Sequence, residues 1–360
     1  MGICSGLNST PWSLGRSHPS NPDFKRRACL HVTLGLSQQQ KLRYSSHPVS
    51  VYIKTAMTLP AVKKVLVVGA SGNVGRSTIK ALLDEDFIVT ALTRETSEGV
   101  IPESVEHLKS DYSDESLLQI FKGQDAIICA ISSIIPGGAL TTQKAIAKAA
   151  IDAGVKVFVP SEYGVDTANP NASAIIPFLK DKIDVVKFLK TQEEKMSWVA
   201  VVSGSMFDWG LRIPGFGGIN VAARTATVFD GGDIPYEATN LDQVGRAIAK
   251  SLKNLAITQN QHVYINSFTV TQNEVIEALG RATAVKFALS QGTVDGLWED
   301  SFAQVKAGML GGTLGLIAAA IYGKGGLAHF SETNGLWNEK LGLPQEDLAQ
   351  CVEAVVAGQK

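Results

Sequence analysis

The sequence predicts an α/β fold, a doubly wound parallel sheet with a smaller C-terminal α/β region that binds substrate. Two observations carry this. Short apolar runs alternate with helical stripes from residue 63 onward, and a glycine-rich turn joins the first run directly to the first helix. Repeated βα units of this length leave a parallel sheet covered by helices on both faces as the natural solution.

The run over 64–69 is continuously apolar after Lys64, as a strand buried on both faces of a parallel sheet must be. A helix is expected over 73–84, with Val74, Ile79, Leu82 and Leu83 on one stripe. Further strands are expected over 87–93, 105–111, 126–131, 155–159, 198–202 and 262–266. Helices are expected over 114–122, 140–153, 175–195, 240–253 and 271–283; Gly154 stops the second of these, and Thr271 with Glu274 forms a capping-box pattern at the start of the last. The apolar run over 307–322 contains Gly308, Gly311, Gly312 and Gly315 and is short for a bilayer, so it reads as a buried helix or pocket wall.

Residues 58–205 are therefore expected to form the doubly wound first domain. Residues 206–360 should form the substrate-binding region, with some strands and helices returning to the first domain. Residues 1–57 read differently: they are rich in Ser, Arg, His and Pro and hold seven Lys/Arg against one acid. They are expected to be a disordered extension, either an overlong reading frame upstream of Met57 or a mitochondrial transit peptide.

The formal net charge is −1 over 360 residues, but without that extension 26 basic face 33 acidic residues, about −7. A surface of that sign repels phosphate backbones and excludes nucleic acid as the expected partner. Cys4, Cys29, Cys129 and Cys351 show no paired spacing, which argues against a disulfide framework or a metal knuckle and for a reducing compartment. A cytoplasmic monomer or homodimer is expected, mitochondrial if the extension is a transit peptide, with no membrane or metal involved.

The turn itself carries the first functional signal. Gly69, Ala70, Ser71, Gly72, Asn73, Val74 and Gly75 lie between the first strand and the first helix. Gly69 permits a tight exit from the strand, Gly72 a close backbone approach to a pyrophosphate, and Gly75 close helix packing. The helix start then offers free N–H groups and a positive dipole end to the phosphates of a Rossmann-bound dinucleotide. An acid at the end of the second strand would favour NAD; here the strand ends on Arg94, whose planar fork suits the 2′-phosphate of NADP(H), with Glu95 beside it. Arg76 could add charge near the phosphates, whereas Lys80 reads as solvated.

The glycine turn, the basic strand end and the segment Val157 to Gly164, which reads VFVPSEYG, together resemble the isoflavone reductase-like branch of the NmrA-like family of atypical short-chain dehydrogenases. The stretch from Leu336 to Leu343 adds to the resemblance, and Phe207 to Gly210 resembles fungal members. No tyrosine is followed by a lysine four residues on, so the usual short-chain dehydrogenase pair is absent. The resemblance implies instead a lysine near the start of the helix after the Pro-Ser-Glu segment as general acid/base. Lys182 aligns with it and Lys180 is the near alternative; Val186 stands where plant members carry an arginine. A lysine against an apolar pocket loses hydration, which brings its pKa toward neutrality and suits it to proton transfer.

No G-x-S-x-G elbow and no H-E-x-x-H motif is present, and His107, His262 and His329 are scattered as structural or surface residues would be. Glu162 reads as a cap or loop bond. Tyr163, Phe207 and Trp209 are expected to line the substrate pocket; Phe216, Trp298 and Phe302 suit such a pocket and a core equally. The expected function is NADPH-dependent reduction of a small aromatic or apolar carbonyl or conjugated compound, with Lys182 as acid/base, in secondary metabolism. The alternative is a non-catalytic NADP(H) sensor that regulates a partner.

Overall fold

The computed structural model describes residues 61–132, 139–309 and 311–358. The extension expected over 1–57 lies outside them.

Seven parallel strands build the central sheet: β1 (Lys64–Val68), β2 (Ile88–Arg94), β3 (Glu106–Ser110), β4 (Ala126–Cys129), β5 (Val157–Val159), β6 (Ser197–Val202) and, much later in the chain, β11 (Gln261–Tyr264). Their spatial order is β11-β6-β5-β4-β1-β2-β3. The chain moves outward from β1 to β3 and then returns past β1 to β4, so the order reverses between β1 and β4. In open α/β sheets that reversal opens a crevice at the carboxyl ends of the strands. Each expected strand of this sheet is present, with ends displaced by at most two residues.

Helices cover both faces. On one face α1 (Asn73–Asp84) and α7 (Leu241–Lys253) pack Ile79, Leu82, Val244 and Ile248 against Val65, Val67, Ile128 and Val201. These two helices cross in close contact: a Cβ on Gly245 would stand 2.3 Å from the Ser77 carbonyl oxygen. On the other face α2 (Asp114–Phe121), α3 (Ala139–Asp152) and α5 (Leu179–Lys190) bury Leu117, Ile146 and Leu189 against Leu66, Ile127, Phe158 and Trp198. α7 and β11 thus return to the sheet from late in the chain.

One helix departs from expectation. The stretch expected as a single helix over 175–195 is α4 (Ala172–Ile175), a break, and then α5. Pro177 disfavours helical geometry in the residue before it, and Ile176 is extended at φ −127° and ψ 94°. α5 also stops at Lys190, short of the expected Lys195.

Two small sheets and several helices complete the chain. β7 (Ser205–Met206), β10 (Tyr236–Thr239) and β12 (Phe268–Val270) form one sheet; β8 (Ile219–Asn220), β9 (Thr225–Phe229) and β13 (Ala288–Gly292) form the other. None of these six strands is expected from the sequence pattern. α6 (Phe207–Gly210), α8 (Leu255–Thr258), α9 (Gln272–Thr283), α10 (Val294–Lys306), α11 (Gly311–Ile321), α12 (Asn338–Leu341) and α13 (Leu348–Ala357) complete this region. The capping box at Thr271 and Glu274 is formed. α11 lies within the apolar run over 307–322 and packs on α10, where a Cβ on Gly312 would stand 2.4 Å from the Ser301 carbonyl oxygen. No helix among the described residues is long and apolar enough to cross a membrane.

Candidate active site

A cavity of about 670 Å³ opens at the carboxyl ends of the strands, at the β1/β4 reversal. The glycine turn forms its floor. Gly69 has φ +80°, a left-handed conformation that glycine adopts without strain, and a Cβ there would stand 2.8 Å from the Ala130 carbonyl oxygen. Gly75 acts differently, through packing. A Cβ on it would stand 2.3 Å from the Gly69 carbonyl oxygen, so the helix start lies directly on the turn that precedes it. Gly69, Ser71, Gly72, Asn73 and Val74 line the cavity, whereas Ala70 and Gly75 lie beneath the turn, away from its wall.

No side chain caps α1. Its first-turn N–H groups are therefore left for whatever occupies the cavity. Arg94, at the end of β2, lines the same cavity; its guanidinium makes no hydrogen bond or ion pair among the described residues. The Ser97 and Tyr112 hydroxyl-bearing side chains stand on the same wall, and Ser97 shares a 3.1 Å hydrogen bond with Ser71. Lys109 donates to the carbonyls of Glu95 and Ser97, which ties down the backbone after Arg94. Arg76 is exposed and bonds Asn73; Lys80 is exposed and pairs with Asp242 across α1 and α7. An uncapped helix start, a turn too close for side chains and an unpaired cation along one wall fit a phosphorylated dinucleotide.

α5 supplies the lysine. Leu179, Lys182, Val185, Val186 and Leu189 are its buried residues, so Lys182 sits on the apolar stripe of the helix. It is 7% exposed and lines the cavity. Its ammonium has no hydrogen bond or ion pair among the described residues. Burial lowers its pKa below the ordinary lysine value, opposed by the negative charge of Glu162. Lys180 points the other way: it is exposed and pairs with Asp184. Val186, where the resemblance implies an arginine, packs into the core between α5 and the sheet.

Glu162 is fully buried between Ser161 and Tyr163, which line the cavity with Lys182; its charge acts on Lys182, although no ion pair within 4.0 Å joins the two. One carboxylate oxygen accepts from the Thr167 hydroxyl; the other, Oε1, has no hydrogen-bond partner among the described residues. Burial raises its pKa, and the positive charge of Lys182 opposes that rise. Tyr163 lines the cavity, but its hydroxyl donates to the Cys129 carbonyl at 3.2 Å and burial pushes its pKa well up.

The remaining wall is apolar. Trp209 lies on it with Phe178, Met206, Phe216, Ile317 and Ile321, and the Trp209 and Phe216 rings meet edge to face at 5.9 Å. Phe207 turns away: it packs edge to face on Phe268 and borders a separate void of about 30 Å³. Trp298 and Phe302 stack on each other at 4.8 Å outside the cavity, and Trp298 donates to the Ile175 carbonyl. No cluster of three or more His, Cys, Asp or Glu side chains among the described residues could hold a metal ion.

The model of the NmrA-like family matches residues 61–300. The chain belongs to the NmrA-like family. This NmrA-like protein is 32% identical over 302 residues to the oxidoreductase aprR of Aspergillus flavus, covering 82% of this chain and 99% of that protein. It is 28% identical over 269 residues to the oxidoreductase poxI of Penicillium oxalicum, covering 74% and 84% of the two chains. Among solved structures, it is similar in fold to the binary complex of leucoanthocyanidin reductase with NADPH from Vitis vinifera, with a TM-score of 0.65, 17% identity, and coverage of 81% of this chain and 99% of that one.

Several residues of this NmrA-like site escape a reading of the sequence. Ser97, Tyr112 and Met206 carry no local motif; their place on the wall comes from the crossing of distant elements, whereas Ile317 and Ile321 fall in the apolar run over 307–322 expected as a buried helix or pocket wall. Glu162 reads as a loop bond because a single acid after a strand announces nothing about its burial. The signal available was its place in the Pro-Ser-Glu segment, between a buried strand and the helix that carries Lys182.

Proposed function

We propose that this protein is an NADP-dependent reductase of a small, apolar or aromatic carbonyl or conjugated compound. The observation that carries the reading is Lys182, a buried lysine without a partner of its own, on the wall of the cavity whose floor is the glycine turn. The oxidoreductases among its relatives, and a neighbour in fold held as its NADPH complex, support it. The described residues up to 205 supply the cofactor side, and those after it supply most of the substrate side together with Phe178, with α7 and β11 returned to the sheet.

Gly69, Ser71, Gly72, Asn73 and Val74 present backbone to the pyrophosphate, and Arg94 takes the 2′-phosphate. NADPH, when bound, supplies hydride. Lys182 gives a proton to the substrate oxygen as that oxygen gains negative charge, and its burial in an apolar wall makes the ammonium a readier acid than a solvated lysine. Trp209, Phe216, Ile317 and Ile321 exclude water from the reacting carbon and select apolar substrates by shape.

The test is NADPH consumption with a panel of aromatic carbonyl and enone compounds, by the wild type and Lys182→Met. Turnover of at least one compound, lost in the variant while NADPH still binds, is the expected result. No turnover of any compound, with NADPH affinity the same in both proteins, refutes the reductase and leaves a dinucleotide sensor.

A further inference from the structure

Glu162 has no part in the reaction as drawn, yet it is one of the least comfortable groups in the molecule. A fully buried carboxylate whose Oε1 has no partner among the described residues loses its hydration without regaining it from the protein. Lys182 has the complementary problem: a buried amine with no hydrogen-bond partner among the described residues. Each lies within electrostatic reach of the other. Their elements are adjacent, since Glu162 follows the carboxyl end of β5 and Lys182 lies in the early part of α5, which packs on the same sheet.

We propose that Glu162 is the positioning residue for Lys182: its carboxylate holds the buried amine as an ammonium until the substrate oxygen takes the proton. The inference rests on the role given to Lys182 above. In the transfer an N–H bond of the ammonium breaks, an O–H bond forms on the substrate, and the electron pair stays on Nζ. The buried carboxylate is then left without its counter-charge, which draws a proton back to Nζ from solvent. Thr167 donates to the other oxygen of Glu162, which leaves Oε1 without a hydrogen-bond partner among the described residues.

Few other charges compete. The Cys129 thiol on β4 also acts on Lys182, but burial pushes its pKa up to about 12 and keeps it neutral. Burial raises the pKa values of Tyr163 and Tyr264, which couple to Glu162, so both are neutral; their hydroxyls donate to the Cys129 carbonyl and to Asp166. The Asp166 carboxyl also acts on Glu162; it accepts from the Tyr264 hydroxyl at 3.2 Å and from the Ala168 N–H at 2.9 Å.

The test follows the proton itself. The full chain, carrying ¹³C-labelled lysine, is titrated by NMR with NADP⁺ present, and the Lys182 signal is identified by its loss in Lys182→Met. Glu162→Gln is expected to lower the midpoint of Lys182 by about one pH unit, because an opposite charge nearby favours the ammonium. Thr167→Val, which removes only the hydrogen bond, is expected to leave that midpoint nearly in place. An unchanged Lys182 midpoint in Glu162→Gln overturns the proposal. Should Glu162→Gln fail to fold, the reciprocal measurement decides: the Glu162 carboxyl, labelled with ¹³C, must titrate at higher pH in Lys182→Met than in the wild type, and no change overturns the proposal. Loss of the reductase reading would show as turnover retained in Lys182→Met, whatever the titrations give, so the two failures are distinct.

Discussion

The two walls of the cavity are built by different rules. The cofactor wall comes from the ends of neighbouring strands: the turn after β1 and Arg94 after β2. It works through backbone N–H groups, close approach and one cation. The substrate wall gathers Phe178, Met206, Trp209, Phe216, Ile317 and Ile321 from segments up to 143 residues apart in the chain. It offers hydrocarbon and aromatic surface with few directed polar groups. The first wall specifies a charged, phosphorylated ligand narrowly, since an unmatched phosphate would leave N–H groups and a guanidinium unpaired. The second specifies a class of shapes, because each methylene gained or lost in an apolar pocket discriminates only weakly.

Substitutions should separate these walls. Lys182→Met, where the walls meet, is expected to have the largest effect: kcat falls by about 10²–10⁴-fold, the usual contribution of a general acid, with NADPH affinity retained. A fluorescence titration alongside steady-state rates checks both halves. Arg94→Ala acts on the cofactor wall alone. Loss of a charged hydrogen bond to phosphate, about 1.5–3 kcal/mol, should weaken NADP(H) by about 10–100-fold and leave NAD affinity as it was. Equal loss for NAD would mean that Arg94 does not read the 2′-phosphate.

Trp209→Ala acts on the substrate wall alone and should raise KM by about tenfold through lost apolar contact, with no change in NADPH affinity. The smallest effect belongs to Lys180→Ala. That residue is exposed and paired with Asp184, so turnover and Tm should match the wild type.

The pH dependence joins the two walls. Lys182 must be protonated to donate, and its pKa is lowered by burial. Reduction is therefore fast below that pKa and is lost as pH rises through it, at a pH below the ordinary lysine range. A kcat that stays flat with rising pH until the ordinary lysine range would contradict the desolvated environment of Lys182.

Much of the cofactor side was legible in the residues. β1, the turn and α1 are contiguous, and apolar runs buried on both faces leave a strong local pattern. The substrate side was far less so. Six short strands, two to five residues each, make the two minor sheets, and at that length pairing with distant partners outweighs any local period. The break at Ile176 was available in principle, since Pro177 restricts the residue before it. Phe207, Trp298 and Phe302 are as apolar as Trp209 and Phe216, and nothing in their chemistry says which face the cavity.

The order of residues was enough for the doubly wound sheet, the glycine turn out of β1, and the basic residue at the end of β2, because each rests on local geometry or on a run of neighbouring residues. The family resemblance aligned Lys182 as the acid/base candidate, with Lys180 the near alternative. The tertiary structure shows how the two differ: Lys180 pairs with Asp184 in solvent, while Lys182 is buried on the cavity wall. The reason is physical. The role proposed for Lys182 depends on lost hydration, which comes from packing α5 against the sheet and the cavity rather than from the residues of the helix alone.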